Sequence, residues 1–349
     1  MCKKERVKPG EQQMGDLPHF RLEFGVPPFT NIACDLFGPI EVGLPRNRSA
    51  KRWGVLFTCL VTRAVYLDIV PSLSSGDFLL ALRRFIGIYG KPKRIHSDNG
   101  TNFVGGEREL REEAEKLYGE EELASFFKEK SIEWTFQPPR APHFGGAHES
   151  LVKSTKRALY RALDEEKGKF RHPTEDLLKT LLFEVAGLLN TRPLTYTSSD
   201  PTDFRPLTPN DFMNRPPVAD VPAGEFDSSL PRDHYRYVQK MLNIFWDMWK
   251  SSYLQSLSSR KKWRTEQPNF QVGSVVMEID KTLKRGEWNI GHVVRVYPGE
   301  DGLVRAVDVE LPSGIFRRAI HRLCLLEPVS SGSPSASPDS GENVPAKTI

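Results

Sequence analysis

Three strand-like runs crowd into the stretch from Phe29 to Val70: FTNIACDLF (Phe29–Phe37), WGVLFTCLV (Trp53–Val61) and AVYLDIV (Ala64–Val70). Only Thr62-Arg63 separates the second from the third, which predicts a hairpin and antiparallel pairing. Gly38-Pro39 is expected to stop the first run. The hydrophobic period then changes. Over 74–89, Phe78, Leu79, Leu82, Phe85, Ile86 and Tyr89 share one helical face, with Ser74 or Ser75 to cap the start and Gly90 and Pro92 to end it. A short strand follows at Lys93–Asp98, then a charged, helix-prone stretch over 105–130, and another strand at Ile132–Gln137, broken by Pro138-Pro139. The loop Arg140–Gly146 leads into helices over about 147–166 and 174–190. The order is three strands, helix, strand, helix, strand, helix, helix. That order predicts an α/β core, a mixed sheet covered by helices, over 29–192.

The other segments lack this alternation. Residues 1–28 are a polar, proline-containing lead-in, and 193–230 are an extended connector rich in Pro, Asp and Thr. Aromatic and basic residues over 231–264 predict a long helix. Over 265–328 short strand patterns recur with Gly286, Gly302 and Gly314 in the turns, which suits a small β-barrel. The tail 329–349 is low-complexity and expected to be disordered. A 38% hydrophobic content is enough to bury a core, and a net charge of +4 leaves nucleic-acid binding to local basic faces. Four cysteines without C-x-x-C spacing read as thiols in a reducing compartment. The N-terminus is polar and basic with no apolar signal segment, and no apolar run approaches the ~18 residues of a membrane span. An intracellular protein without a membrane partner is expected. The common nucleotide, serine-hydrolase and zincin motifs are absent.

Three acids stand at positions where carboxylates do chemistry. Asp35 lies late in an apolar strand, where a carboxylate is costly to bury unless it is paired or binds a metal. Asp98 ends a strand before the turn signal Asn99-Gly100, and Glu149 lies in the first turn of a helix after Gly145-Gly146. Any one of them alone reads as a cap, a turn residue or a solvated charge. Three hard oxygen donors on separate elements can converge on two Mg²⁺ or Mn²⁺ ions and serve phosphoryl transfer. Lys153, Lys156 and Arg157 follow Glu149 by four, seven and eight residues, on its helix face. They suit a phosphate backbone, or else form an ordinary solvated charged face. Arg83, Arg84, Lys91, Lys93 and Arg94 form a second basic cluster with the same two readings. His143 and His148 flank the loop and are not required by a metal mechanism.

At these residues the sequence resembles a known family. NIACDLFGPI, RIHSDNGTNF and PPRAPHFGGAHESLVKSTKRAL resemble the three acidic motifs of retroviral and retrotransposon integrases. The long spacing between the second and third acids, with LNTRPLTY, PLTPNDF and the C-terminal VGSVVMEID…VRAVDVEL, points to the BEL/Pao class of LTR retrotransposons. The resemblance covers about residues 1–328. It implies an RNase H-like fold with a five-stranded mixed sheet, followed by a long helix and an SH3-like DNA-binding barrel. It implies 3′-end processing by water and then strand transfer, with Asp35, Asp98 and Glu149 as catalytic metal ligands. Lys153 and Lys156 become DNA contacts, and Arg157, Asn99, Gly145 and Gly146 are grouped with them. DNA as partner, a homo-oligomer and nuclear localisation follow from the same comparison. Similar enzymes begin with a zinc domain. Here Cys2 resembles its last ligand without the others, so no zinc is expected. His148 stands where such elements commonly have Trp. Two other readings are weighed beside the integrase: a non-catalytic nucleic-acid-binding remnant, and an RNase H-like nuclease.

Overall fold

The computed structural model describes residues 18–98, 100–117, 132–136, 146–165, 172–196, 205–214, 234–257, 269–280 and 283–327. The described residues fall into two compact units. One is drawn from within Met1–Leu194, Leu207–Ser256 and Lys281–Trp288, the other from within Thr195–Pro206, Leu257–Asp280 and Asn289–Ile349.

The first unit is built on a mixed sheet of five strands: β1 (Asn31–Leu44), β2 (Arg48–Cys59), β3 (Val65–Val70), β4 (Arg94–Ser97) and β5 (Glu133–Phe136). Their spatial order is β3-β2-β1-β4-β5. The β1–β2 and β2–β3 pairs are antiparallel, whereas β1–β4 and β4–β5 are parallel. Connection length accounts for the split. Short turns join β1 to β2 to β3, and parallel neighbours need long crossovers, such as the one through helix α1 (Ser75–Tyr89) between β3 and β4.

Two expectations about the first strands are corrected. β1 does not stop at Gly38-Pro39. It runs on to Leu44, and its register with β2 shifts between Phe37 and Ile40. The bulge absorbs a proline that could not sit in a regular ladder. β2 begins at Arg48, five residues before Trp53, because the hairpin turn places Arg46 and Asn47 at φ 61° and 56°. The polar run that follows that turn carries no apolar alternation, so its pairing is invisible to pattern reading.

Helix α1 has the predicted caps: the Asp77 N–H donates to Ser74 Oγ at 3.1 Å, and Gly90 follows at φ 85°. Helix α2 (Thr101–Leu117) starts four residues earlier than its charged pattern suggests. Helices α3 (Gly146–Glu165) and α4 (Glu175–Asn190) follow, the latter capped at 3.4 Å by Thr174 Oγ1, which accepts from Leu177 N–H. Helix α5 (His234–Leu257) completes the unit.

Both sheet faces are covered, which is why β2 and β3 read as continuous apolar runs. On one face Ile32, Cys34, Val55 and Phe57 meet Phe78, Leu82 and Phe85 of α1 and Phe103 of α2, with Phe57 and Phe85 stacked at 4.7 Å. On the other, Phe37, Leu56, Leu67 and Ile69 meet Leu159 of α3, Leu181 and Val185 of α4, and Met241, Phe245, Trp246 and Trp249 of α5. Each such fully buried apolar side chain is worth about 1.5–3 kcal/mol relative to exposure. The second unit is an antiparallel sheet of five strands: β6 (Val275–Glu278), β7 (Ile290–Pro298), β8 (Val304–Leu311), β9 (Gly314–Ala319) and β10 (Leu323–Glu327). They are ordered β9-β8-β7-β6-β10 around Val276, Val293, Val307 and Val309. Gly302 and Gly314 take φ 73° and 126° at its turns, as their placement predicts.

Candidate active site

Asp35 is the fifth of the fourteen residues of β1. The β1–β4 register pairs Asn31 with Arg94, Ile32 with Ile95 and Ala33 with His96. Carried two residues further, it sets Asp35 beside Asp98, on neighbouring parallel strands about 4.8 Å apart. Side chains alternate across a strand, so both positions belong to the sheet face of Phe37, the face that α3 covers. Cys34 reports the same neighbourhood from the opposite face. Its buried thiol is held well above the usual range, first by burial and then by the charges of Asp35 and Asp98.

The two aspartates differ in their surroundings. Lys156 of α3 donates to Asp35 Oδ2 at 2.7 Å and to the Leu36 carbonyl at 3.1 Å, and its ammonium stands 5.8 Å from the centre of the Phe37 ring. The pair is partly solvated, with side chains 24% and 31% exposed, so it stabilises the fold by only about 0–1 kcal/mol. Tyr160, four residues along α3, packs edge-on against Phe37. Burial raises its phenol pKa, a Gly38 backbone hydrogen bond opposes the shift, and Asp35 adds to it. Asp98 is exposed, just past the end of β4. Its Oδ1 accepts from the Gly100 N–H at 3.0 Å. A Cβ on Gly100 would come within 2.7 Å of Asn102 Oδ1 and 3.1 Å of Asp98 Oδ1, so a side chain there would push these two polar groups aside. Buried Ser97 anchors this end of the strand by accepting from Trp134 Nε1 at 2.9 Å and donating to the Asp98 carbonyl at 3.0 Å.

Glu149 is the fourth residue of α3, seven positions before Lys156, or about 10.5 Å along the axis. Its side chain, and those of His148 and Asn99, lie outside the described residues, as do Gly145, His143 and Cys2. Gly146 opens α3. Along α3, Lys156 is half-buried against Asp35, while Lys153 and Arg157 are exposed. The second basic cluster is partly spent on the fold. Arg84 pairs with the fully buried Asp68 at 2.7 Å, and Arg94 bridges Glu23 and Glu133 at 3.0 and 2.8 Å. Sequence reading missed Tyr160, although its position four residues after Lys156 was the available signal.

Residues 233–326 match a family model described as a family of unknown function, DUF5641. No curated protein matches the chain. Among solved structures, a simian T-cell lymphotropic virus intasome in complex with the PP2A regulatory subunit B56 gamma aligns at 12% identity and TM-score 0.37, over 95% of this chain and 88% of that one. The HTLV-2 integrase catalytic core domain in complex with magnesium aligns in its trimeric form at 16% identity and TM-score 0.30, over 49% of this chain and 91% of that one. Its dimeric form aligns at 17% identity and TM-score 0.29, over 48% and 89%.

In chemical terms the site offers two carboxylates on adjacent strands, one exposed and one held by an ammonium. Hard oxygen donors of this kind fit Mg²⁺ or Mn²⁺ and not a thiophilic ion. Among the described residues no group of three His, Cys, Asp or Glu side chains converges, so a third ligand would have to come from elsewhere, Glu149 being the sequence candidate. No described helix is long and apolar enough to cross a membrane.

Proposed function

We propose that the first unit is the RNase H-like catalytic core of a BEL/Pao-type retroelement integrase, a metal-dependent polynucleotidyl transferase that uses Asp35, Asp98 and Glu149. The observation that carries this reading is the parallel register of β1 and β4, which runs from Asn31–Arg94 to Ala33–His96 and, carried two residues further, would set Asp35 beside Asp98. The order of acidic motifs in the sequence supports it independently. Asp35, Asp98 and Glu149 would hold the Mg²⁺ or Mn²⁺ ions, which when bound supply Lewis-acid activation of an attacking oxygen and charge neutralisation at a leaving oxygen. Exposed Lys153 and Arg157 bind the phosphate backbone. Lys156 balances the charge of Asp35 and turns to a DNA phosphate when the strand is seated. Asn99, Gly145 and Gly146 border the same strand. The reaction is hydrolysis of a terminal phosphodiester, then attack of the freed 3′-hydroxyl on a target phosphodiester. In this reading the second unit is an SH3-like DNA-binding module, and the protein acts in the nucleus as a homo-oligomer on retroelement ends and target DNA.

One observation favours a second reading. The ammonium of Lys156 sits on the carboxylate oxygen that a metal would use. In a non-catalytic nucleic-acid-binding remnant, that ion pair would be purely structural.

A disintegration assay separates these readings. The protein is incubated with Mn²⁺ or Mg²⁺ and a labelled branched DNA that resembles an integration intermediate, with Asp98→Asn as control. Metal-dependent resealing that disappears in Asp98→Asn is the expected result. DNA binding by the folded protein without resealing points to the remnant. Hydrolysis without joining points to an RNase H-like nuclease.

A further inference from the structure

Three arginines gather at the β1 N-terminal edge of the sheet, away from the carboxylates. Arg21 ends the helical turn His19–Arg21, Arg63 sits in the β2–β3 turn, and Arg192 follows α4. Arg192 is 3% exposed. It donates from Nη1 to the Leu189 carbonyl at 2.7 Å and from Nη2 to the Arg63 carbonyl. Arg21 Nε and Arg63 Nη1 are buried and have no acceptor among the described residues. Arg63 also adopts φ 62°, a left-handed conformation that side chains bearing a Cβ rarely occupy. The guanidiniums feel one another: Arg63 is lowered by burial and then by Arg21, and Arg192 is lowered to about 10 chiefly by burial, with Tyr253 opposing the shift and Arg63 adding to it. Among the described residues, the groups acting in the other direction are the thiol of Cys59 and the phenol of Tyr253, with no carboxylate among them. All three remain cationic at neutral pH.

Like charges gathered under cover with unused donors are costly unless a counter-ion completes them. Backbone carbonyls satisfy Arg192 Nη1 and Nη2, but among the described residues no acceptor meets Arg21 Nε or Arg63 Nη1. A guanidinium fork matches the oxygens of a tetrahedral oxyanion, and several forks around one anion suit phosphate better than a monovalent carboxylate. We infer that Arg21, Arg63 and Arg192 form a phosphate-binding site separate from the Asp35–Asp98 centre. Cys59, which precedes the Arg63 turn, pairs with Ile32, three residues before Asp35 on β1. The site therefore lies at least about 10 Å along the strand from Asp35, and it does not depend on the catalytic reading. Its phosphate comes either from a nucleic-acid backbone or from a free phosphate group.

The test is thermal unfolding of the full chain in sodium phosphate against sodium chloride at matched ionic strength. Wild type is expected to gain a saturable 2–4 °C, roughly the shift that a ligand well above its dissociation constant produces in a chain of this size. Arg63→Gln and Arg21→Gln are expected to lose that gain. Arg21→Gln removes no hydrogen bond to a described side-chain partner, so it keeps the test open if Arg63→Gln fails to fold. An equal gain in chloride, or an undiminished gain in both variants, overturns the site. Fluorescence anisotropy with a short DNA duplex then assigns the source. A loss of duplex affinity of about fivefold or more in Arg21→Gln assigns the backbone, and equal affinity with a lost phosphate gain assigns a free phosphate. Asp98→Asn leaves the phosphate gain intact, so failure of this site and failure of the catalytic reading are told apart.

Discussion

Asp35 owes its place to neighbours that no motif displays. Phe37, two residues on, lies opposite Gly54 in the β1–β2 ladder, and a Cβ on Gly54 would come within 2.1 Å of the Phe37 ring. Gly54→Ala must therefore displace that ring beside the Asp35–Lys156 pair, at a cost of about 2–3 kcal/mol. Gly76 in α1 meets nothing within 4 Å, and Gly76→Ala is expected to stabilise by about 0.5–1 kcal/mol. Urea unfolding of the two variants checks the contrast, and a Gly54→Ala midpoint equal to wild type would contradict the packing. A second residue-scale prediction concerns Asp68, which is fully buried. It accepts from Arg84 Nε and from the Ile69 N–H at 2.8 Å. Arg84→Gln strands that carboxylate and should destabilise by about 3 kcal/mol, the low end for a broken buried pair because the arginine is 41% exposed. Sequence reading placed Arg84 and Arg94 in a basic cluster. Their acids, Asp68, Glu23 and Glu133, come from other strands and from the lead-in, so only the folded chain shows that these cations are spent.

Among the elements, the helix of 74–89 was the most legible, because its caps and its apolar face are local. Ser74→Ala removes the acceptor of the Asp77 N–H and should cost about 1 kcal/mol, measured by the same urea titration. Strand ends were less legible. The bulge at Gly38-Pro39 lets β1 continue because β2 supplies a partner on the far side, at Ile40–Leu44. The start of α2 at Thr101 was missed because its first turn, TNFVGG, contains two glycines, yet Gly105 and Gly106 there lie close against Ser75 and Phe78 of α1. Packing between helices overrides the weak local propensity.

Across the whole molecule the buried acids predict how stability changes with pH. Burial raises Cys34, Tyr66 and Tyr160, and holds Cys324 at about 11. Each is an acid whose folded pKa exceeds its unfolded value. Its contribution is therefore fully present below the unfolded pKa and is lost as pH rises from there towards the folded value. The urea midpoint is expected to hold near pH 7 and to fall from about 8, as unfolded thiols with a pKa of about 8.5 ionise, and further through 10, where phenols follow. Arg192 acts in the opposite sense above about 10, since its lowered pKa favours the folded state as pH climbs towards the ordinary guanidinium value. A flat midpoint between pH 8 and 10 would refute the buried-thiol and phenol account.

By itself the sequence determined the succession of strands and helices, the caps of α1, the glycine turns of the second sheet and the identity of the three candidate acids. These are local facts, carried by period, turn chemistry and residue type. Only the tertiary structure decided that β1 and β4 pair in parallel in a register that runs towards Asp35 and Asp98, that Lys156 is drawn onto Asp35, and that arginines far apart in the chain lie near one end of the sheet. Register and charge pairing are set by which elements pack together, and that information does not reside in any one segment.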